Sequence, residues 1–127
     1  MKPQVTHIKL HRESQRLTLT FSDQLSADLS AEFLRVHSPS AEVQRHGKPI
    51  VVTDKHDVRM LDVQAVGHYA VRIIFDDGHD TGIYSWSWLH HLCQDQEQLK
   101  LQYQQQVALK NAEKALQIPI SVRFNDD

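Results

Sequence analysis

The strongest constraint on the fold is a hairpin pattern in the middle of the chain. Hydrophobic residues, many of them β-branched, recur at nearly every other position over residues 58–66 and 69–75, and Gly67 and His68 separate the two runs. Alternation with a period of two is typical of strands, and a short glycine-containing break between two such runs is typical of a hairpin. The sequence therefore predicts an antiparallel hairpin whose second arm is a central strand.

A second hairpin pattern precedes the first one along the chain. Residues 6–21 alternate in the same way on either side of the polar break at residues 11–16. The short apolar run at residues 50–52 predicts an edge strand, and residues 38–48 read as an irregular connection.

Residues 17–36 and 71–91 resemble each other. Each segment reads as a strand, an acidic turn, a short strand, a serine and a short helix. Ser30 and Ser85 fit the N-cap position of those helices, where a hydroxyl accepts a hydrogen bond from a free backbone N–H. Because the similarity is short, true duplication and shared local chemistry are both open explanations.

The carboxyl-terminal part of the sequence predicts a long helix. Residues 94–117 are rich in Gln, Glu, Leu, Lys and Ala, and no Gly or Pro occurs until Pro119. Residues 118–124 form either an edge strand or a free tail. The predicted class is α+β: a small antiparallel sheet of two hairpins plus short strands, short helices after residues 30 and 85, and a long C-terminal helix.

Composition limits the classes of function. The 127 residues are 40% hydrophobic and 24% charged, which fits one compact domain. A net charge of −2 without a basic stripe argues against nucleic-acid binding. The sequence has no run of apolar residues of bilayer-spanning length and no signal-peptide pattern, so we expect a cytoplasmic protein that does not bind membranes. Cys93 is the only cysteine, which excludes an intrachain disulfide.

Catalytic motifs are absent from the sequence. Cys93 has no glycine-rich turn or clearly placed cation beside it, and a chain with four glycines has no phosphate-cradling loop. His90 and His91 are adjacent on a predicted helix, so they point about 100° apart and cannot share one metal ion. We therefore expect that the protein is not an enzyme.

The segment around His79 is the best candidate for a site. Asp76, Asp77 and Gly78 predict a tight turn that directs His79, and both tryptophans follow shortly after it. We predict a binding surface formed by His79, Tyr84, Trp86 and Trp88. The competing interpretation is structural: the histidine completes the turn, and one tryptophan fills the core while the other reaches the surface.

Three ordered motifs resemble a known family. They are residues 33–43 (FLRVHSPSAEV), residues 69–79 (YAVRIIFDDGH) and residues 82–86 (GIYSW). Together they resemble the gamma-butyrobetaine hydroxylase-like N-terminal domain, a domain of unknown function. The resemblance places the domain at residues 6–92 and leaves residues 93–127 as a helical extension and tail. It implies a small α+β module that occurs alone in bacteria, in front of an oxygenase domain, or attached to iron–sulfur carrier ATPases.

The resemblance also implies a structural zinc site held by three cysteines and one histidine. The corresponding residues here are Ser38, Ser40, Val43 and His79. A serine hydroxyl is a poor zinc ligand and valine is none, so we predict no cofactor and no tightly bound zinc. Instead, Ser38 and Ser40 are expected to hydrogen-bond His79. A weaker metal site would need His37 together with His79 and a carboxylate such as Glu42 or Asp80.

Two functions follow from this reading. The first is a non-enzymatic accessory or protein-interaction module of unknown partner, with an iron–sulfur carrier as the partner that the resemblance suggests. The alternative is a weak iron- or zinc-binding protein that uses His79 with His37 and nearby carboxylates. In both cases we expect a monomer or a weak homodimer.

Overall fold

The computed structural model describes residues 2–39 and 54–122, with side chains described through residue 112. The predicted edge strand at residues 50–52 lies outside the described residues, as do Ser40, Glu42 and Val43.

Six strands and three helices follow one another along the described chain. They are β1 (Val5–His11), β2 (Arg16–Phe21), β3 (Ser26–Ser30), α1 (Ala31–Val36), β4 (Met60–Val66), β5 (Ala70–Phe75), β6 (Ile83–Ser85), α2 (Trp86–Gln94) and α3 (Gln96–Val122). The α+β class and both predicted hairpins are confirmed.

The strands form two antiparallel sheets of three strands each. The first sheet has the order β1-β2-β3 and the second has the order β4-β5-β6. The second arm of the central hairpin, β5, is therefore the middle strand of its sheet, as its hydrophobic pattern predicts. Each hairpin also contains one irregularity of register, between Val5 and His7 in the first sheet and between Met60 and Asp62 in the second.

Alternate residues of the central strands form the core. The buried alternate positions are Leu17, Leu19 and Phe21 of β2 and Val71, Ile73 and Phe75 of β5, and Ala70 at the start of β5 is buried as well. Leu34 of α1 and Leu89 of α2 are both fully buried. This pattern is what period-two alternation produces when one face of each sheet packs inward and the other faces solvent.

Both predicted helix N-caps are confirmed. Ser30 Oγ accepts a hydrogen bond from the Phe33 N–H at 3.1 Å, and Ser85 Oγ accepts one from the Trp88 N–H at 3.1 Å. Each bond satisfies one of the free backbone donors at the start of its helix.

The acidic turns of the two halves have the same pattern of hydrogen bonds. In the first turn, the Phe21 N–H donates to Leu25 O at 2.8 Å, and the Leu25 N–H donates to Asp23 Oδ1 at 3.1 Å. In the second turn the same bonds are Phe75 N–H to His79 O at 3.0 Å and His79 N–H to Asp77 Oδ1 at 3.1 Å. Strands, turns and caps therefore recur in the same order in both halves, which duplication and shared local chemistry would each produce.

The helix α3 falls in a separate compact unit. Contacts divide the chain into residues 1–96 and residues 97–127. The backbone of α3 is helical through Val122, so the expected end near residue 117 is wrong. Residues 118–122 form neither of the two alternatives left open by their sequence, an edge strand or a free tail. Leu101 and Leu109 are exposed on this helix. None of the helices described has the length and hydrophobicity that a bilayer crossing requires.

Candidate functional site

His79 lies at the end of the turn that follows β5. Gly78 occupies the turn with a φ of 88°, a conformation that glycine adopts without steric cost. The His79 N–H is bound to the Asp77 carboxylate, which fixes the backbone at this point. The side chain of His79 is buried, with 5% of its surface exposed.

The hydrogen bond predicted between Ser38 and His79 is present. Ser38 Oγ lies 2.8 Å from His79 Nε2, and Ser38 is fully buried directly after the C-cap residue of α1, His37. Residues 41 positions apart in the sequence are thus joined in the protein interior. The equivalent prediction for Ser40 falls outside the described residues.

Gly82 lets these two side chains meet. A Cβ atom at this position would lie 2.5 Å from Ser38 Oγ and 3.6 Å from His79 Nε2. A heavy atom at 2.5 Å overlaps the oxygen, so any larger residue displaces Ser38. The absence of a side chain at residue 82 is therefore a packing requirement of the site.

Tyr84 completes the buried cluster from β6. Its hydroxyl donates to Leu34 O at 2.6 Å, and the side chain is fully buried. Burial raises the pKa of Tyr84 far above its ordinary value, and a hydrogen bond with Ser38 only partly offsets that effect. Tyr84 and His79 are therefore interior residues, which corrects the expectation that they lie on a binding surface.

A charged group lies beside this cluster. Asp77 Oδ2 is 2.8 Å from Arg35 Nε and 2.8 Å from Lys55 Nζ, and the Arg35 side chain is buried. Partial burial by itself would raise the pKa of Asp77, but hydrogen bonds from Lys55, the His79 N–H and Arg35 lower it to about 2. Arg35 was not predicted, because nothing in the local sequence pattern marks an arginine on a short helix as a buried ion-pair partner.

The residues present do not fit a tetrahedral zinc site. The positions described here supply one histidine nitrogen, already hydrogen-bonded, and one serine hydroxyl, whereas structural zinc takes four nitrogen or sulfur ligands. Within residues 2–39 and 54–112, no three His, Cys, Asp or Glu side chains converge on a point that could hold a metal. The expectation of no tightly bound zinc remains a prediction, and stoichiometric zinc in elemental analysis of the purified protein would contradict it.

His37 is occupied by contacts of its own. Its Nδ1 donates to Phe33 O at 2.8 Å, and its ring lies 4.4 Å from the Phe33 ring. Burial lowers the pKa of His37, while the bond to Phe33 O raises it in part. These contacts hold the imidazole against α1.

Both tryptophans are half-buried, so the expected division into one core and one surface residue is not seen. Trp86 Nε1 donates to His68 O at 2.7 Å, and Trp88 Nε1 donates to His37 O at 2.9 Å. Each indole is therefore fixed to the backbone of another segment while part of its ring remains accessible.

A shallow groove runs beside Trp86. Residues that line it include Pro3, His68, Tyr69, Ser85, Trp86 and Ser87. Tyr69 is 61% exposed and Trp86 is half-exposed, so two aromatic rings form part of the wall. The predicted binding surface did not include Tyr69, because only the pairing of β5 with β6 brings this residue next to Trp86.

The described residues contain no activated nucleophile. Cys93 is buried, and burial raises the pKa of its thiol to about 11. Thr18 Oγ1 donates to Asp28 Oδ1 at 2.6 Å and lies 2.8 Å from His11 Nε2. Because the threonine proton points to the carboxylate, the histidine acts as a donor to the hydroxyl and does not activate it.

Comparisons with known proteins agree with this fold. The model of the family described as gamma-butyrobetaine hydroxylase-like, N-terminal, matches residues 8–90. A solution NMR structure is 44% identical over 85% of this chain and 86% of its own, with a TM-score of 0.75. A second NMR structure, also 44% identical, covers 87% of this chain and 83% of its own, with a TM-score of 0.76.

A crystal structure from Acidithiobacillus ferrooxidans is also similar. It is 36% identical over 71% of this chain and 92% of its own, with a TM-score of 0.61, and it is described as a protein of unknown function of the DUF971 family. The comparison with curated proteins gave no match.

Proposed function

Because this chain belongs to the gamma-butyrobetaine hydroxylase-like N-terminal family, we propose that it is a non-enzymatic accessory module of the cytoplasm that binds another protein. The A. ferrooxidans relative carries no assigned function. The proposal therefore depends on the surface of this chain, and the groove beside Trp86 is the feature that supports it.

The aromatic side chains of this groove suit protein binding. Tyrosine and tryptophan are enriched at protein interfaces because they bury a large area with few rotatable bonds. Trp86 is additionally held at two points, since its Nε1 donates to His68 O and its backbone N–H donates to Tyr69 O at 2.9 Å. A ring fixed in advance loses little conformational freedom when a partner binds.

The first partner to test is an iron–sulfur carrier protein. Support for this choice comes from the family resemblance, in which the same module is attached to carrier ATPases of that type. The Ser38–His79 pair is buried, and the Asp77 ion pairs hold the turn to the buried Arg35, so we assign them to stability and the groove to recognition.

Titration of the isotopically labelled full chain with an iron–sulfur carrier from the same host tests this function. We expect chemical-shift changes around His68, Tyr69 and Trp86, and we expect Tyr69→Ala to weaken binding at least tenfold. Leu61→Ala is the matched control, because Leu61 is also an exposed hydrophobic residue of this region but does not line the groove. Absence of shifts, or equal binding by Tyr69→Ala, would contradict the proposal.

Addition of iron or zinc to the same sample tests the alternative of weak metal binding. Changes confined to the ring signals of His37 and His79 would replace the protein-binding proposal with a metal-binding one. Because the described residues contain no cluster of three ligands, we expect no such changes.

A further inference from the structure

Because the two halves are built alike, the outer face of the second sheet can be compared with that of the first sheet, position by position. In the second sheet, Val71, Ile73 and Phe75 are buried, so Arg72 and Ile74 between them face outward. Cross-strand pairing extends this outer face to Asp62 and Gln64 of β4 and to Ile83 of β6. The first sheet has an outer face built in the same way.

The two outer faces differ in chemistry at equivalent positions. The second sheet carries Ile74 and Ile83 where the first carries Thr20 and Asp28, which are 54 and 55 residues earlier. The Val66 end of the face is left out, because its cross-strand partner Ala70 is fully buried. Since the first sheet forms with polar residues at these places, the fold does not require hydrophobic ones there. A solvent-facing antiparallel sheet is normally polar, so the hydrophobic residues indicate a contact surface.

Exposure of large hydrophobic side chains supports this difference. Within residues 2–39 no large hydrophobic side chain is exposed, whereas residues 54–96 contain Leu61 at 51%, Tyr69 at 61% and Ile83 at 48%. Ile83 lies on the outer face of the second sheet, paired with Arg72.

Charges on this face identify its partner. Arg72 Nη2 donates to Gln64 Oε1 at 2.9 Å, and Gln64 Nε2 donates to Asp62 Oδ2 at 3.2 Å. The face thus presents one cation and one anion within a hydrophobic border, which matches neither a strongly acidic nor a strongly basic partner. Under a two-fold axis, such a face is complementary to itself, because each arginine lies over the aspartate of the other copy.

We propose that two copies of this protein pair through the outer faces of their second sheets, about a two-fold axis that brings Arg72 of each copy to Asp62 of the other. This goes beyond the proposed function, because the groove beside Trp86 is not required for it. Three strands spaced about 4.8 Å apart give a face roughly 14 Å wide and about 20 Å long, or on the order of 300 Å² per copy. Stable dimers bury at least about 1,200 Å² in total, so the association is weak.

Dilution of the full chain from about 1 mM to about 10 μM, followed by NMR and sedimentation, tests the pairing. We expect concentration-dependent chemical shifts on β4, β5 and β6. The average mass should lie above that of the monomer at the highest concentration and fall to the monomer mass on dilution. The double substitution Ile74→Thr, Ile83→Asp transfers the residues of the first sheet and should weaken association at least tenfold. Thr20→Ala, on the outer face of the first sheet, is the matched control and should leave association unchanged.

A charge exchange tests the two-fold arrangement itself. Arg72→Asp and Asp62→Arg should each weaken self-association at least fivefold, and an equimolar mixture of the two variants should associate at least as strongly as the unaltered protein. A monomer at 1 mM, shifts located elsewhere, or no recovery in the mixture would overturn the proposal. Tyr69→Ala separates the two hypotheses, because it should affect partner binding but not self-association.

Discussion

Among single residues, Gly82 shows most clearly how the interior is constructed. Its missing side chain leaves the space in which Ser38 Oγ approaches His79 Nε2 and the Tyr84 ring. All three partners are buried, so none can move into solvent to make room. Packing at this density converts a single added methyl group into a displacement of its neighbours.

The substitution Gly82→Ala should therefore destabilise the fold by about 1 to 3 kcal/mol, the usual cost of forcing an extra carbon into a packed interior. Urea unfolding monitored by tryptophan fluorescence measures the change. Thr81→Ala is the matched control because Thr81 is exposed, and it should stay within about 0.5 kcal/mol of the unaltered protein. Equal stability of the two variants would contradict the close contact at residue 82.

Asp77 gives the protein a predictable response to acid. Its pKa falls from 3.8 to about 2 on folding, so the unfolded chain takes up the proton first as the pH falls. The resulting stabilisation is complete above about pH 4 and is lost between about pH 4 and pH 2. Because the side chain keeps some contact with solvent, we expect it to contribute about 1 to 2 kcal/mol.

Asp77→Asn should remove this part of the acid dependence, which urea unfolding at a series of pH values measures. Asp80→Asn, at an exposed position on the same turn, should retain it. An unchanged acid profile in Asp77→Asn would show that the ion pairs with Arg35 and Lys55 do not stabilise the fold.

Helices and turns connect the two halves reciprocally. Arg35 of α1 binds Asp77 in the turn of the second half, and His90 of α2 lies 2.8 Å from Asp23 in the turn of the first half. The hydrogen bond with His90 lowers the pKa of Asp23. Each helix therefore depends on the opposite half for the partner of its basic side chain, which is consistent with the two halves folding as one unit.

The capping serines should contribute equally because their geometry is the same. Ser30→Ala and Ser85→Ala each remove a side-chain bond of 3.1 Å and should each cost about 1 kcal/mol of stability. Thermal or urea unfolding measures both. Ser14→Ala is the control, since Ser14 is an exposed serine in the turn between β1 and β2 and caps no helix. A cost limited to one half would show that the two caps are not equivalent.

For the molecule as a whole, residues 1–96 contain both sheets and the first two short helices, whereas residues 97–127 form a separate unit. We expect a chain shortened after Gln96 to remain folded, because the buried core lies before that residue. Gln96 itself is kept because its Nε2 donates to Asp28 O at 3.0 Å. A dispersed NMR spectrum that overlaps that of the full chain checks this, and a collapsed spectrum would contradict it.

Local patterns were sufficient for the strands, the turns and the caps. The alternation over residues 58–75 predicts the hairpin because side chains on a strand point to opposite faces in turn, and the serines predict their helices because free N–H groups need an acceptor. The pairing of Ser38 with His79 also follows from the sequence, through the family resemblance. The helical conformation of residues 118–122 could not be predicted from the sequence, since a short apolar run fits a strand or a helix equally well.

Tertiary structure alone decided which residues are interior. Tyr84 and His79 read as surface residues in the sequence, but both are buried where α1 packs against the second half. The same packing supplies Leu34 O as the acceptor for the Tyr84 hydroxyl and Arg35 as the ion-pair partner of Asp77. It also decided that the two outer sheet faces differ, because the sequence shows which residues 54 or 55 positions apart are equivalent but not which of them point away from the core. Burial and long-range pairing depend on contacts between distant segments, whereas periodicity and capping depend on neighbours along the chain.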